Sequence, residues 1–228
     1  MKLDDSLSAT VEEYLETIYN MNMEHEVVIG ARLAQKFAVS PPTVTEMLKR
    51  LVKGGYVEMD HKRQVTLTEA GARAAESVLR RHRLTERFLT DMLGMQWHQV
   101  HEEAGRLEHF ISGAVEARVI AALNFPTTCP HGNPIPGEVD ARNYLKNNNA
   151  IRLSSVGQGE VVTILCISEV VEDEEALIRY LHEKGLTPGT QLTVLGPKDD
   201  GDEDFAVQVQ GHTVFINKGS ASKIWAKR

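Results

Sequence analysis

The sequence predicts a mainly α-helical protein with a small β part: a winged helix-turn-helix first, further helices next, and a small barrel-like β domain last. Roughly the first 120 residues place apolar side chains at spacings of three and four, which is typical of amphipathic helices. One stretch of alternating apolar and polar residues interrupts these helices, as a two-stranded wing would. From residue 151 onward, short β-rich runs are separated by turn residues, which predicts the barrel-like domain.

The first three predicted helices form a helix-turn-helix pattern. They cover residues 10–20, 31–37 and 41–52, with a tight turn between the second and the third. Ser40 is suited to cap the third helix, because its hydroxyl can accept a hydrogen bond from a first-turn amide. Two prolines follow Ser40 in the first turn, where a missing backbone donor costs little. The segment YVEMDHKRQVTLT then predicts the wing.

Three more helices are expected in the middle of the chain, over residues 69–93, about 96–112 and 113–123. The following segment NFPTTCPHGNPIPG holds four prolines within eleven residues, which excludes regular structure and predicts a linker or stiff loop. In the β-rich part, one helix is expected over residues 174–184. These elements predict a DNA-binding domain over residues 1–72, a helical domain over 73–140 and a β domain over 150–228.

Composition narrows the class of protein. The chain has 228 residues, 42% of them hydrophobic, and two distant cysteines that match no metal-ligand spacing, which argues against a disulfide scaffold. No apolar run approaches the length of a membrane span, so a cytoplasmic protein with no membrane partner is expected.

The net charge of −7 hides an asymmetry along the chain. Residues 49–83 hold nine Lys or Arg and four acids, whereas residues 169–204 hold eleven acids and three Lys or Arg. The basic segment can therefore meet DNA phosphates.

The third helix has the features of a major-groove reader, with small polar residues at its start and basic residues toward its end. The alternative is a plain helical hairpin with a solvated charged face, but the wing and the basic excess favour DNA binding. The residues expected to face the groove or the phosphates are Ser40, Pro42, Thr43, Thr45, Glu46, Lys49, Lys62 and Arg63.

Pairs of carboxylate and imidazole side chains at helical spacing predict a metal site. Each pair lies on one face of its helix, because residues three or four apart share a face. Three helices that must pack together supply such donors, which suit a first-row divalent cation. They are Glu13 and Glu16, His82 and Glu86, and His101 with Glu108 and His109.

The alternative for any single pair is a solvated helix face, although three pairs together are hard to ascribe to chance. Gly105 lies four residues from both His101 and His109, in mid-helix, where glycine costs about 1 kcal/mol relative to alanine. The glycine either allows close packing against another helix or leaves room for a metal-bound water.

Four motifs resemble the diphtheria toxin repressor family of iron- and manganese-dependent repressors: SPPTV, LRRHRLTERFL, VHEEAGRLEHFIS and CPHGNPIPG. The resemblance covers essentially the whole chain, and the β-rich tail resembles the SH3-like third domain of the longer members. The resemblance implies a homodimer formed by the middle helices, which binds two half-sites of double-stranded operator DNA. Metal would fix the DNA-reading heads relative to the dimer core, and metal uptake genes would be the targets.

The resemblance also implies two metal sites. His82, Glu86 and His101 would form an ancillary site completed by Glu172 and Glu175 of the third domain. Glu108 and His109, with a ligand from the first helix, would form the primary site.

Three positions depart from the iron-responsive pattern. Glu13 stands where those members have a methionine, and Gly105 stands where they have a cysteine. Loss of both sulfur donors favours Mn²⁺ as the cofactor, with Fe²⁺ as the alternative. The manganese-responsive members have a further carboxylate at the position of Gly105, so the ligand set is left open. Glu46 replaces an amide, so the base preference does not carry over.

Two other functions compete with this interpretation. A metal hydrolase would also use His and Glu clusters, but it leaves the recognition helix unexplained. A winged-helix regulator that senses an organic ligand would bind DNA equally well in the presence of a chelator.

Overall fold

A computed structural model describes residues 7–170, 174–197 and 204–228 of the chain. The chain divides into two compact units, Met1–Arg80 and Arg81–Arg228, and the boundary falls inside the longest helix. None of the helices in the described ranges has the length and apolar character of a membrane-spanning segment.

The first unit is the winged helix-turn-helix. Its helices are α1 (Ala9–Met23), α2 (Gly30–Lys36), α3 (Pro41–Lys53) and the first part of α4 (Glu69–Asp91), and its wing consists of β1 (Val57–Met59) and β2 (Val65–Leu67). The apolar stripe of α1 is fully buried at Leu15 and Ile18, and Leu33 and Leu51 bring α2 and α3 into the same unit's interior. The predicted positions of these elements are confirmed to within a few residues.

Local polar contacts fix the start of α3 and the turn of the wing. The Ser40 hydroxyl accepts a hydrogen bond from the Thr43 amide at 3.4 Å, so Ser40 is the N-cap as predicted. In the wing turn, the Asp60 carboxylate accepts hydrogen bonds from the amides of Lys62 and Gln64, both at 2.8 Å. The reading helix and the wing are therefore held by bonds within their own segments.

The second unit begins with the rest of α4, followed by α5 (Val100–Leu107), a 3₁₀ turn over Glu108–Phe110 and α6 (Gly113–Ala122). The expected helix over residues 96–112 was too long at both ends. Gly94, at a φ of 69°, terminates α4, and residues 92–99 form turns that carry Trp97 into an apolar core. The helix can therefore begin only at Val100.

The proline-rich segment was correctly predicted to be irregular, but it is not a solvent-exposed linker. Residues 129–136 are all buried. The Ile167 amide donates to the His131 carbonyl at 3.0 Å, and the Asn133 side-chain amide donates to the Ile167 carbonyl at 3.0 Å. These bonds satisfy polar groups of the segment and tie it to a strand of the β domain.

Within the described residues, the β domain is one antiparallel sheet of six strands in the order β3-β8-β4-β5-β6-β7. The strands are β3 (Ile151–Arg152), β4 (Val161–Ile167), β5 (Gln191–Pro197), β6 (Asp204–Val209), β7 (His212–Asn217) and β8 (Ile224–Lys227). Three helices accompany the sheet: α7 (Tyr144–Asn147), α8 (Glu174–Glu183) and α9 (Lys218–Ala221). Strands β3 and β8 could not be predicted from the sequence, because a two-residue strand and a four-residue strand are too short to show alternation.

Candidate functional site

Helix α4 carries the centre of a buried polar cluster. His82 and Glu86 lie one turn apart, and both are buried. The Glu86 Oε1 atom lies 3.2 Å from His82 Nε2, 3.1 Å from His101 Nδ1 and 3.2 Å from His131 Nδ1. Cys129 belongs to the same group, since one ligand atom each from Glu86, Cys129 and His131 lies within 4.8 Å of the others. We call His82, Glu86, His101, Cys129 and His131 the Glu86 cluster.

The Glu86 carboxylate stays ionised although it is buried. Burial alone would raise its pKa, but the electrostatic interaction with His131 and His82 and the hydrogen bond from His101 hold this pKa well below its usual range. Its second oxygen, Oε2, is buried and has no hydrogen-bond partner among the described residues. A buried carboxylate oxygen without a partner is costly, so the cluster offers an unused acceptor to a cation.

Cys129 and His131 come from the buried proline-rich segment, and neither was assigned to a site from the sequence. The prediction that the cysteines match no metal-ligand spacing considered neither the Cys-x-His spacing nor a ligand from a distant helix, and the structure brings Cys129 and His131 together with Glu86 of α4. Burial, followed by the charges of Glu86 and Glu169, raises the pKa of the Cys129 thiol well above its usual value. A cation beside the sulfur would favour the thiolate.

A second group, which we call the Glu108 cluster, consists of His82, Glu108 and His109. Glu108 is buried in the 3₁₀ turn after α5, with its Oε2 atom 2.5 Å from His82 Nδ1 and its Oε1 atom 3.2 Å from His109 Nε2. Arg81 donates from Nε to the Glu108 carbonyl at 2.9 Å, which anchors the turn. The two ring nitrogens of His82 therefore face different clusters.

The other predicted metal ligands lie on α1 and in the β domain. Glu13 is exposed and Glu16 is half-buried on α1 of the first unit. Glu172 lies outside the described residues. Glu175 is not among the described groups of the Glu86 cluster; it forms an exposed ion pair with Arg179 on its own helix.

Among the described residues, the β domain contacts α4 through the carboxylate of Glu169, which was not singled out from the sequence. Arg83 donates from Nε and Nη2 to the two oxygens of Glu169, at 3.2 and 2.8 Å, and from Nη1 to the Pro134 carbonyl at 2.6 Å. Both side chains of the pair are buried. Burial would raise the pKa of Glu169, but the charge and hydrogen bonds of Arg83 lower it.

Gly105 lies in α5, and a Cβ built on it would meet no described atom within 4 Å. Close helix packing therefore does not explain the glycine. Gly105→Ala is expected to raise the free energy of unfolding of the metal-free chain by about 1 kcal/mol, because glycine is unfavourable inside helices. Thermal unfolding measures this change.

The matched control is Gly132→Ala. Gly132 has a φ of 85°, and a Cβ there would lie 2.2 Å from the Leu165 carbonyl oxygen, so this variant should be strongly destabilised. If Gly105→Ala instead lowered the free energy of unfolding, this result would contradict the expectation and show that the folded chain needs the open space beside Gly105.

All the side chains predicted to contact DNA are exposed in the first unit; they are Ser40, Pro42, Thr43, Thr45, Glu46, Lys49, Lys62 and Arg63. Glu46 forms an ion pair with Lys49 at 2.7 Å. Thr45 donates to the Pro41 carbonyl at 2.9 Å within the helix. The start of α3 and the wing thus present polar and basic groups to solvent.

The chemistry of the Glu86 cluster fits a divalent transition metal. Carboxylate, imidazole and thiol are the donor types that first-row cations use, and the buried Glu86 Oε2 atom is an acceptor without a partner among the described residues. The Glu108 cluster offers carboxylate and imidazole donors alone.

Three family models match consecutive parts of the chain. The N-terminal DNA-binding domain of iron-dependent repressors matches residues 6–65, and their metal-binding and dimerisation domain matches residues 68–137. The FeoA domain matches residues 151–228.

Individual relatives and solved structures agree with these matches. The chain is 38% identical over 196 residues to the iron-dependent repressor IdeR of Mycobacterium leprae, covering 83% of this chain and 85% of the relative. It is 41% identical over 191 residues to the diphtheria toxin repressor of Corynebacterium diphtheriae, covering 82% and 84%. A solved manganese-dependent transcriptional repressor in complex with manganese superposes with a TM-score of 0.81 at 32% identity, covering 95% of this chain and 99% of that one.

These matches confirm the winged helix-turn-helix, the helical domain and the SH3-like β domain as the fold class, and they exclude the hydrolase alternative, because the family consists of repressors and not of enzymes. The chain therefore belongs to the diphtheria toxin repressor family of metal-dependent, DNA-binding transcriptional repressors.

Proposed function

We propose that this repressor responds to manganese and binds operator DNA as a homodimer when its buried clusters hold divalent cations. The observation that carries the proposal is the Glu86 cluster, in which three imidazole nitrogens lie 3.1 to 3.2 Å from one carboxylate oxygen. The other oxygen of this buried carboxylate has no partner among the described residues. Such an arrangement is typical of a metal site whose ligands are already in place.

The chain's own residues prepare both clusters for a cation. In the Glu86 cluster the donors are Glu86, His101, Cys129, His131 and one ring nitrogen of His82. In the Glu108 cluster they are Glu108 and His109. Glu13 and Glu16 of α1 are proposed as further ligands. A bound divalent cation would supply positive charge to these carboxylates. A cation that binds the DNA-competent conformation more tightly raises the fraction of molecules in it, and DNA then tightens metal binding by the same factor.

Manganese is the preferred cation because the Glu108 cluster contains only oxygen and nitrogen donors, and because Glu13 and Gly105 stand where the family resemblance implies sulfur ligands in the iron-responsive members. Iron(II) is a second candidate, and one observation favours it. Cys129 adds a soft sulfur donor to the Glu86 cluster, which a softer cation than Mn²⁺ would use better. The chain is similar both to an iron-dependent repressor and to a manganese-dependent repressor.

We propose that the two DNA-reading heads are the α3 helices and wings of a homodimer. The family dimerises through the domain matched by residues 68–137. In that range, Leu107, Phe110 and Val115 are exposed apolar residues, and 85% of Phe110 is accessible, so these residues are suited to a dimer contact. The proposal also divides the chain into three domains, over residues 1–72, 73–140 and 150–228. It further includes a cytoplasmic location and control of metal uptake genes.

The test selects high-affinity duplexes from a random DNA pool in Mn²⁺ and then titrates the chain onto them. Fluorescence anisotropy is measured in Mn²⁺, anaerobic Fe²⁺, Zn²⁺, Co²⁺ and chelator. We expect tight DNA binding only with metal, and the fullest activation with Mn²⁺. Co²⁺ and Zn²⁺ should bind at lower free concentrations than Mn²⁺, because divalent cations follow that general order of affinity, so selectivity is judged from the extent of activation and not from metal affinity. Equal DNA binding in chelator would overturn metal dependence and would favour a regulator that senses an organic ligand.

Two matched variants locate the response. Glu86→Gln should abolish metal activation, because it removes the charge at the centre of the cluster. Glu175→Gln should keep it, because that side chain forms an exposed ion pair with Arg179. If Glu86→Gln kept the metal activation and Glu175→Gln abolished it, Glu175 would be a metal ligand from the third domain, as the family resemblance implies.

A further inference from the structure

We propose that Trp97 is a positioning residue that holds His131 in the orientation needed to bind metal and links the Glu86 cluster to α8 of the β domain. The proposal rests on the proposed metal response. It concerns a residue that contacts no cation itself.

Trp97 holds the Pro130–His131 dipeptide with both its side chain and its main chain. Its indole Nε1 donates a hydrogen bond to the Pro130 carbonyl at 2.9 Å. Its own carbonyl accepts a hydrogen bond from His131 Nε2 at 2.9 Å. The two rings also pack together, with centroids 4.9 Å apart. Two of these contacts hold the His131 ring directly, and the third holds the carbonyl of the residue before it.

The direction of the second bond determines which ring nitrogen is available. A carbonyl oxygen can only accept a hydrogen bond, so His131 Nε2 carries the hydrogen. The other nitrogen, Nδ1, then points to Glu86 Oε1 at 3.2 Å. Metal-ligating histidines commonly donate their remote N–H to a backbone carbonyl, which fixes the tautomer and the ring orientation. Trp97 supplies that carbonyl.

The opposite side of Trp97 contacts the β domain. The indole packs against His182 of α8, with ring centroids 5.7 Å apart. Trp97 is buried in the same apolar core as Ile178 and Leu181 of that helix. A displacement of α8 would therefore move the residue that orients a metal ligand, and the β domain would influence metal affinity through Trp97.

Two substitutions at this position separate its contributions. Trp97→Phe keeps an aromatic ring but removes the Nε1 donor, and Trp97→Leu removes the ring as well. Loss of such an outer contact typically weakens metal binding about 10- to 100-fold. The matched control is Trp225→Phe, because Trp225 is equally buried but lies in a different apolar cluster, and its Nε1 has no hydrogen-bond partner among the described residues.

The first measurement uses the metal-free full-length chain. Long-range ¹H–¹⁵N spectra of the imidazole rings should show His131 with its hydrogen on Nε2 in the wild type and in Trp225→Phe. Trp97→Leu keeps the carbonyl at position 97 but loses the ring packing and the indole hydrogen bond that hold this carbonyl beside His131, so it should show a mixture of the two His131 tautomers. An unchanged His131 spectrum in Trp97→Leu would overturn the positioning role, whatever the chain does with metal.

The second measurement is a Co²⁺ titration, which follows the thiolate-to-cobalt charge-transfer band of Cys129. We expect the midpoint of this band to rise at least tenfold for Trp97→Phe and to stay unchanged for Trp225→Phe. A purely structural role would lower the unfolding temperature of the metal-free variant and leave the midpoint unchanged, which would overturn the proposal. If the wild type held the His131 tautomer but bound no Co²⁺, the proposed metal response would fail while the orientation of His131 by Trp97 stood.

Discussion

Replacing His82 with alanine is expected to abolish metal-dependent DNA binding and to weaken metal binding at both clusters by at least about 100-fold. His82 is buried in α4, and each of its ring nitrogens faces a different carboxylate. Nδ1 lies 2.5 Å from Glu108, and Nε2 lies 3.2 Å from Glu86. One substitution therefore removes a donor from each cluster.

The effect should exceed that of losing a ligand that serves one cluster. His109 contacts Glu108, whereas His101 contacts Glu86 and His82. Isothermal titration with Mn²⁺ should resolve two classes of binding in the wild type, lose one class selectively in His109→Ala, and show both classes weakened in His82→Ala. The control is His212→Ala, at an exposed position of strand β7, which should bind like the wild type. A His82→Ala protein that lost only one class would show that the ring serves a single site, as the family resemblance implied.

Replacing Arg83 with methionine is expected to lower the free energy of unfolding by about 3–5 kcal/mol, because it leaves the buried Glu169 carboxylate without its partner. The pair is bidentate, and Arg83 also donates to the Pro134 carbonyl of the proline-rich segment. The double variant Arg83→Met/Glu169→Met should recover most of the loss, since no uncompensated charge remains in the interior.

The exposed pair Arg179–Glu175 provides the matched control. Both side chains are about half accessible to solvent, so Arg179→Met should cost less than about 1 kcal/mol. Urea unfolding of the metal-free proteins at pH 7 compares the two pairs. Equal losses for Arg83→Met and Arg179→Met would contradict a stabilising role of the buried pair.

The same pair gives a pH dependence with a definite sign. Although burial opposes it, Arg83 lowers the pKa of Glu169, so the stabilisation is complete above the ordinary glutamate pKa of about 4.3 and is lost as the pH falls through the lowered value. In Arg83→Met, burial without the cation should raise the pKa of Glu169, and protonation should then relieve the buried charge in acid. The stability difference between wild type and Arg83→Met should therefore be smaller at pH 4 than at pH 7. A difference that grew in acid would contradict this assignment.

The sequence predicted those parts of the molecule that depend on local patterns. Ser40 caps α3 because its hydroxyl acts within its own turn, and His82 and Glu86 share a face because they are four residues apart on one helix. Periodicity is sufficient for such features.

The parts that depend on tertiary contacts could not be predicted in this way. Cys129 and His131 reach Glu86 only because an irregular segment is buried beside α4, and no spacing along the chain encodes that contact. Glu169 likewise becomes significant only through Arg83, 86 positions earlier. The start of α5 was misjudged because Trp97 is directed into an apolar core that the amphipathic pattern does not reveal.

Anomalous diffraction from crystals of the full chain grown with Mn²⁺, measured on both sides of the manganese absorption edge, tests most directly whether the Glu86 cluster holds a cation. We expect an anomalous peak at bonding distance from Glu86 and at least two of the imidazoles of His82, His101 and His131. Well-ordered side chains with no peak, and with Glu86 Oε1 still in direct contact with the imidazole nitrogens, would contradict the metal site and reduce the cluster to a buried ion pair.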